Sequence, residues 1–341
     1  MLVKLEKPLV MLAVLLFAFS TAVHGVASGG FGVEHGRPEL GNGRGIEVRA
    51  VHDGEGYWLN IEGNKPQFKF KYISGDEVQD HTQFKVRFDK VVEYLDEDQD
   101  GVIDDGEELF EYRLIPMKWT HKVIPIEVST SSETETTQVT SGWKVTLSTN
   151  TSTKNGLFAM NISLWLFEDE AHIKENGNMF TVDWLTIKID LTFISIPWTN
   201  GGSKLALKVD LNSEYGLKQE LELSSQGEGE VSTTSMPQTY FSWDNKAQIY
   251  DSEGNFVDVP VTATSLMPPD SNGINKLYLC YPSFDNDEIL VHDPVLGVRT
   301  KGGGYLERYL EGYSTQLLIG VVAVVGVCVA LVVLHRRKKA L

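Results

Sequence analysis

Residues 185–193 read LTIKIDLTF: Leu185, Ile187, Ile189, Leu191 and Phe193 fall on every second position, with Lys188, Asp190 and Thr192 between them. A period of two sends alternate side chains to opposite faces of an extended strand, so one face is apolar and the other meets water. The same alternation returns at Phe158, Met160, Ile162, Leu164 and Leu166, and again at Leu205, Leu207, Val209 and Leu211. Phe68, Phe70 and Tyr72 add another strand, as do Trp143, Val145 and Leu147. Few windows carry a helical period, and turn residues punctuate the runs at 62–64, 200–202, 251–255 and 268–270. The pattern predicts an all-β fold, an antiparallel β-sandwich ectodomain over residues 46–300, built as one large or two smaller sandwiches. A hydroxyl-rich acidic stretch at 129–141 (STSSETETTQVTS) is the candidate subdivision.

The two ends read differently. Lys4 and Lys7 precede the apolar run 9–19, and small residues follow from Ser20 to Ala27, which reads as a secretory signal over 1–27. Residues 28–45 are glycine-rich and read as a flexible leader. Near the C-terminus, 317–334 (LLIGVVAVVGVCVALVVL) is apolar without a charge. At ~1.5 Å per residue it reaches about 27 Å, close to the hydrocarbon thickness of a bilayer, so a single transmembrane helix is expected over 316–335. Arg336, Arg337, Lys338 and Lys339 follow at once, which places the tail 336–341 in the cytoplasm and the bulk outside the plasma membrane, as a type I protein. Residues 301–315, with Tyr305, Tyr309 and Tyr313, form a juxtamembrane stalk.

Charge and cysteines narrow the partners. The signal contributes +1 and the tail +4 to the net charge of −17, so the part between them carries −22. Such a surface does not suit nucleic acid or anionic lipid; an extracellular protein or glycan is the expected ligand. Only Cys280 and Cys328 occur, and Cys328 lies in the expected span, so the ectodomain has no cysteine pair for a disulfide.

Residues 96–107 read DEDQDGVIDDGE. Carboxylates stand at the first, third, fifth, ninth and twelfth places (Asp96, Asp98, Asp100, Asp104, Glu107), Gly101 stands at the sixth, Val102 offers a carbonyl at the seventh and Ile103 is apolar at the eighth. A hard cation wants six to eight oxygens, and alternating carboxylates turned inward around a sharp turn supply them. The stretch resembles the calcium loop of the EF-hand family. That resemblance implies Ca²⁺ as cofactor, bound by Asp96, Asp98, Asp100, Val102, Asp104 and Glu107. It covers this loop alone, for no second loop is visible. Phe84, Phe88, Val91 and Leu95 suit an entering helix, while Phe84, Val86 and Phe88 alternate as a strand; a loop joining two β-segments is favoured. The unpaired loop is expected to be structural and to work at extracellular calcium, ~10⁻⁴ to 10⁻³ M.

Asn150 and Asn161 head N-glycosylation sequons. His172 among Glu168, Asp169, Glu170 and Glu175 reads as a solvated hairpin end more readily than as a metal site. GxSxG, HExxH and phosphate-loop motifs are absent from the sequence. The run 292–298 (HDPVLGV) resembles strings in secreted β-proteins and implies no activity. The expectation is a non-enzymatic surface protein serving adhesion, envelope structure or ligand binding. The competing expectation is a membrane-tethered polysaccharide hydrolase, which needs two carboxylates about 5–10 Å apart in a cleft.

Overall fold

The alternating runs become strands whose apolar faces meet in one core. The computed structural model describes residues 45–300 except 53, 63–64, 76, 132–135, 168–170, 176–177, 214–216, 221–228, 235 and 267–273. The expected signal, leader, stalk, span and tail therefore lie outside the described residues, apart from residue 45 of the leader. Among the described residues no helix is long and apolar enough to cross a membrane.

The first sheet holds β1 (Ile46–His52), β2 (Glu55–Ile61), β3 (Gln67–Ser74), β4 (Glu77–Val78), β5 (Phe84–Tyr94) and β6 (Glu108–Arg113). It is completed by β13 (Lys204–Asn212), β19 (Thr262–Leu266) and β20 (Ile274–Tyr281). The second sheet holds β7 (Thr120–Ser131), β8 (Thr136–Thr153), β9 (Gly156–Phe167), β12 (Thr186–Ser195), β14 (Leu217–Glu220), β15 (Gly229–Thr233) and β16 (Gln238–Trp243). With it run β17 (Lys246–Tyr250), β18 (Phe256–Pro260), β21 (Ile289–His292) and β22 (Val295–Arg299). A small hairpin, β10 (Ala171–Glu175) with β11 (Asn178–Val182), stands apart from both. Every pairing is antiparallel.

The inward faces are those read from the alternation. Ile187, Ile189, Leu191 and Phe193 of β12 and Leu205, Leu207, Val209 and Leu211 of β13 are all fully buried. Aromatic pairs bridge the sheets: Phe88 meets Phe241 at 6.4 Å, Tyr112 stacks on Phe158 at 5.0 Å, and Phe193 meets Tyr281 at 5.4 Å. The two sheets thus face each other across one continuous cluster. The stretch 129–141 runs through the paired ends of β7 and β8 (Thr130 opposite Thr137), so it joins two neighbouring strands of one sheet.

Each sheet is organised on one long strand with a shared edge. β5 pairs β3 along its first half and β6 along its second. β12 pairs β9 on one side; on the other it pairs β22 at Thr186–Lys188 and β21 at Leu191–Phe193. β21 and β22 are one run bent at Asp293 and Pro294, and the Ile189 N–H donates to the Pro294 carbonyl at 2.9 Å across the bend. Beyond the bend the sheet forks, one limb through β17 and β18, the other through β16, β15 and β14.

His292 closes this junction. Its Nε2 lies 3.0 Å from the Asp244 carbonyl, an acceptor, so Nε2 carries the proton and Nδ1 accepts from the Tyr281 hydroxyl at 2.9 Å. Burial lowers its pKa from 6.5 to about 4. The unfolded chain binds this proton first as pH falls, so stability is present above 6.5 and is lost between 6.5 and 4. At pH 5 the loss is about 2 kcal/mol. Asp293, pushed up to about 6 by burial, acts in the opposite sense. A His292→Gln chain should therefore lose less melting temperature between pH 7 and pH 5 than the parent; equal losses would mean His292 does not titrate with unfolding.

Candidate metal centre

The acidic stretch 96–107 is the connection between β5 and β6, so strands flank it on both sides. The Leu95 N–H donates to the Glu107 carbonyl at 3.0 Å and closes the hairpin beneath it. Gly101 takes φ +85°, a left-handed conformation that glycine accepts without strain, and this turns the chain sharply at the sixth place. The Gly101 carbonyl accepts from the Tyr94 hydroxyl at 3.2 Å and from the Thr262 hydroxyl. Ile103 drops onto the outer face of the first sheet with Val92, Tyr94, Ala206, Tyr278 and Cys280. This explains why Ala206, on the supposedly wet face of β13, is fully buried. Cys280 lies under the same cover, and burial pushes its thiol up to about 12.

Within the loop, carboxylates and amides interlock. Asp98 accepts from the Asp100 N–H at 3.3 Å, and Asp100 from the Val102 N–H at 2.9 Å. Glu107 spans the loop, with Oε1 taking the Glu97 N–H at 2.8 Å and Oε2 the Asp104 N–H at 2.9 Å. One oxygen each of Asp96, Asp98 and Glu107 lie within 4.8 Å of one another, and so do oxygens of Asp98, Asp100 and Asp104. All five carboxylates are therefore brought together, linked through Asp98. Burial and then the charges of Asp100, Asp98, Glu107 and Asp105 push the Asp104 carboxyl up.

Asp96 is the most informative member. Its side chain is 2 % exposed. Oδ2 accepts from the Gly101 N–H at 3.1 Å and from the Lys204 ammonium, and the lysine bond above all holds the carboxyl below its usual range. Oδ1 is buried with no hydrogen-bond partner. A buried carboxylate oxygen without a donor is costly, and a cation at that point would relieve it. The donor set is all oxygen, which fits a hard cation. Lys204, Thr262 and Tyr94 were not legible as parts of this site, because the first two come from strands distant in sequence and Tyr94 read only as a strand residue.

A second concavity lies on the outer face of the second sheet, a trough of about 820 Å³ across β7, β8, β9, β12, β21 and β17. At its centre the Lys188 ammonium binds Asp190 and, at 3.1 Å, Asp293. The Trp165 indole N–H also donates to Asp190, and Lys144 sits 3.9 Å over the Trp165 ring. Asn161 lines this trough, and its sequon partner Ser163 lies 3.0 Å from the Thr146 hydroxyl; Asn150 is exposed towards the end of β8. Trp165 and Phe167 share the face of Asn161 but are buried with Val182, next to the β10–β11 hairpin. His172 lies on β10 opposite Thr181.

No protein-family model matches the chain, and no curated protein matches it.

Proposed function

We propose that the chain is a calcium-binding, single-pass surface protein. Its β-sandwich ectodomain, held by the apolar span 316–335 with the basic tail inside, serves adhesion, envelope structure or the binding of an extracellular protein or glycan. The observation that carries the metal reading is the buried, unpartnered Oδ1 of Asp96, a residue whose carboxylate groups with those of Asp98 and Glu107. Ca²⁺ is preferred because the ligand spacing follows the EF-hand pattern and because the loop belongs on the calcium-rich side of a membrane. The ion would be held by Asp96, Asp98, Asp100, Asp104 and Glu107 with the Val102 carbonyl. There it supplies positive charge that offsets the crowded carboxylates and ties the loop to the sheet below. Calorimetric titration of the detergent-solubilised full chain should give one calcium per chain; no binding at millimolar calcium would sink the reading. Protease added to intact cells should remove most of the mass, and protection of the bulk would refute the topology.

The trough supports a second reading, polysaccharide hydrolysis, because it gathers Asp190 and Asp293, the latter raised to about 6 by burial. The Lys188 ammonium between them counts against it, since both carboxylates are turned to a fixed cation and not to a substrate. Loss of measured polysaccharide cleavage in Asp293→Asn would favour this reading over the first.

A further inference from the structure

Lys204 opens β13 directly opposite Tyr94, the last residue of β5 before the loop. That register lets its ammonium reach Asp96, the first residue of the acidic stretch and 108 positions away in sequence. The Asp96 carboxylate is thereby divided. Oδ2 serves Lys204 and the Gly101 N–H, while Oδ1 is left without a hydrogen-bond partner, in a carboxylate that groups with those of Asp98 and Glu107.

We propose that Lys204 is a built-in counter-ion that shares Asp96 with the bound cation and sets the site's affinity low, in the range suited to a calcium-rich exterior. The inference rests on the calcium reading above. The physical case is one of competing charges. The lysine draws on the same carboxylate that must hold the ion, and it places a unit positive charge within a few ångströms of a divalent one. The Asp96 side chain is 2 % exposed and that of Lys204 32 %, so water and salt screen this repulsion only in part. The same ammonium offsets the acidic loop's own repulsion and holds Asp96 on the end of β13. Affinity is thus exchanged for a loop that is already docked before an ion arrives, which keeps Ile103 in place over Cys280.

Calorimetric calcium titrations of the full chain and three variants test this. Lys204→Met should tighten calcium binding about tenfold or more, by the Coulomb estimate for partly screened charges. Lys204→Arg keeps the charge and should stay near the parent value. Lys208→Met removes a cation from the same face of β13, one paired with Asp89 and Asp210, and should also leave affinity near the parent value. Melting temperatures give a second readout: the rise on adding calcium should be larger in Lys204→Met than in the parent, even where that variant melts lower in chelator. Equal affinity and equal rise in parent and Lys204→Met would overturn the inference while leaving the calcium reading intact. Tightening by Lys204→Arg to the same degree would overturn the charge argument. Absence of calcium binding in all four proteins would sink the reading on which the inference rests.

Discussion

Calcium at about a hundredfold excess over its dissociation constant should raise the melting temperature of the chain by roughly 5–10 °C, and Glu107→Gln should erase most of that rise. An ion bound only by the folded state adds about 2.7 kcal/mol at that excess. The unfolded chain cannot gather Asp96, Asp98, Asp100, Asp104 and Glu107 into one shell, so its affinity is negligible by comparison. Glu107 is the sensitive position because its two oxygens reach both the start of the loop, through the Glu97 N–H, and the ninth place, through the Asp104 N–H. The amide keeps one acceptor oxygen but loses the charge and the second ligand. Asp285→Asn, in a separate turn where Glu288 caps the Asp285 N–H, is the matched control and should retain the full rise. Thermal melts of parent and both variants, in calcium and in chelator, decide the matter. A parent that melts at one temperature in both would reduce the loop to an acidic turn.

Glu93→Ala should lower the melting temperature by about 8–16 °C, the equivalent of a loss near 4 kcal/mol. Glu93 is fully buried at the end of β5, and no lysine or arginine salt bridge to it is found among the described residues. Its carboxylate is satisfied by donors instead. It takes the Thr199 N–H at 2.8 and 3.0 Å, the Thr199 hydroxyl at 2.9 Å, the Asn200 N–H at 3.0 Å and the Ser203 hydroxyl at 2.6 Å. These donors belong to the turn between β12 and β13, whose Pro197 carbonyl also accepts from the Tyr112 hydroxyl at 2.8 Å. Alanine would strand several donors where water enters poorly, and each stranded group costs ~1–3 kcal/mol. Glu93→Gln keeps the shape but turns an amide N–H₂ towards other donors, so its loss should be intermediate. An unchanged melting temperature in Glu93→Ala would mean the carboxylate contributes nothing to the fold. Because Lys204 follows Ser203 directly, the same turn also sets where the lysine begins.

Alternation identified strands and their buried faces but carried no information on neighbours. Leu185 to Phe193 announced β12 from nine residues, yet nothing in them says that β22 and β21 divide its edge. The acidic loop was legible because its carboxylates are contiguous and their spacing is itself the signal. Lys204 was not, since only the pairing of β5 with β13 brings it to Asp96. Ala206 and Cys280 read as ordinary positions on strands, and both are buried on the outer face of the first sheet under Ile103 of the acidic loop. The stretch 129–141 looked like a seam because polar, hydroxyl-rich residues mark loops; its described residues 129–131 and 136–141 lie in the paired ends of β7 and β8.

The shared edge of β12 has a consequence for how the chain must be made. A ribosome or secretion pore delivers β9 and β12 long before β21 and β22, and it delivers β5 and β13 before β20. Until residues 274–299 emerge, each sheet presents a long apolar strand with one edge unpaired, a form prone to pair with another molecule. Consecutive strands such as β1–β2–β3 and β7–β8–β9 can pair as they emerge, but neither sheet is complete until those residues arrive. The last few strands act as a completion check, so a chain cut short before them should be discarded as waste, not kept as a smaller working domain.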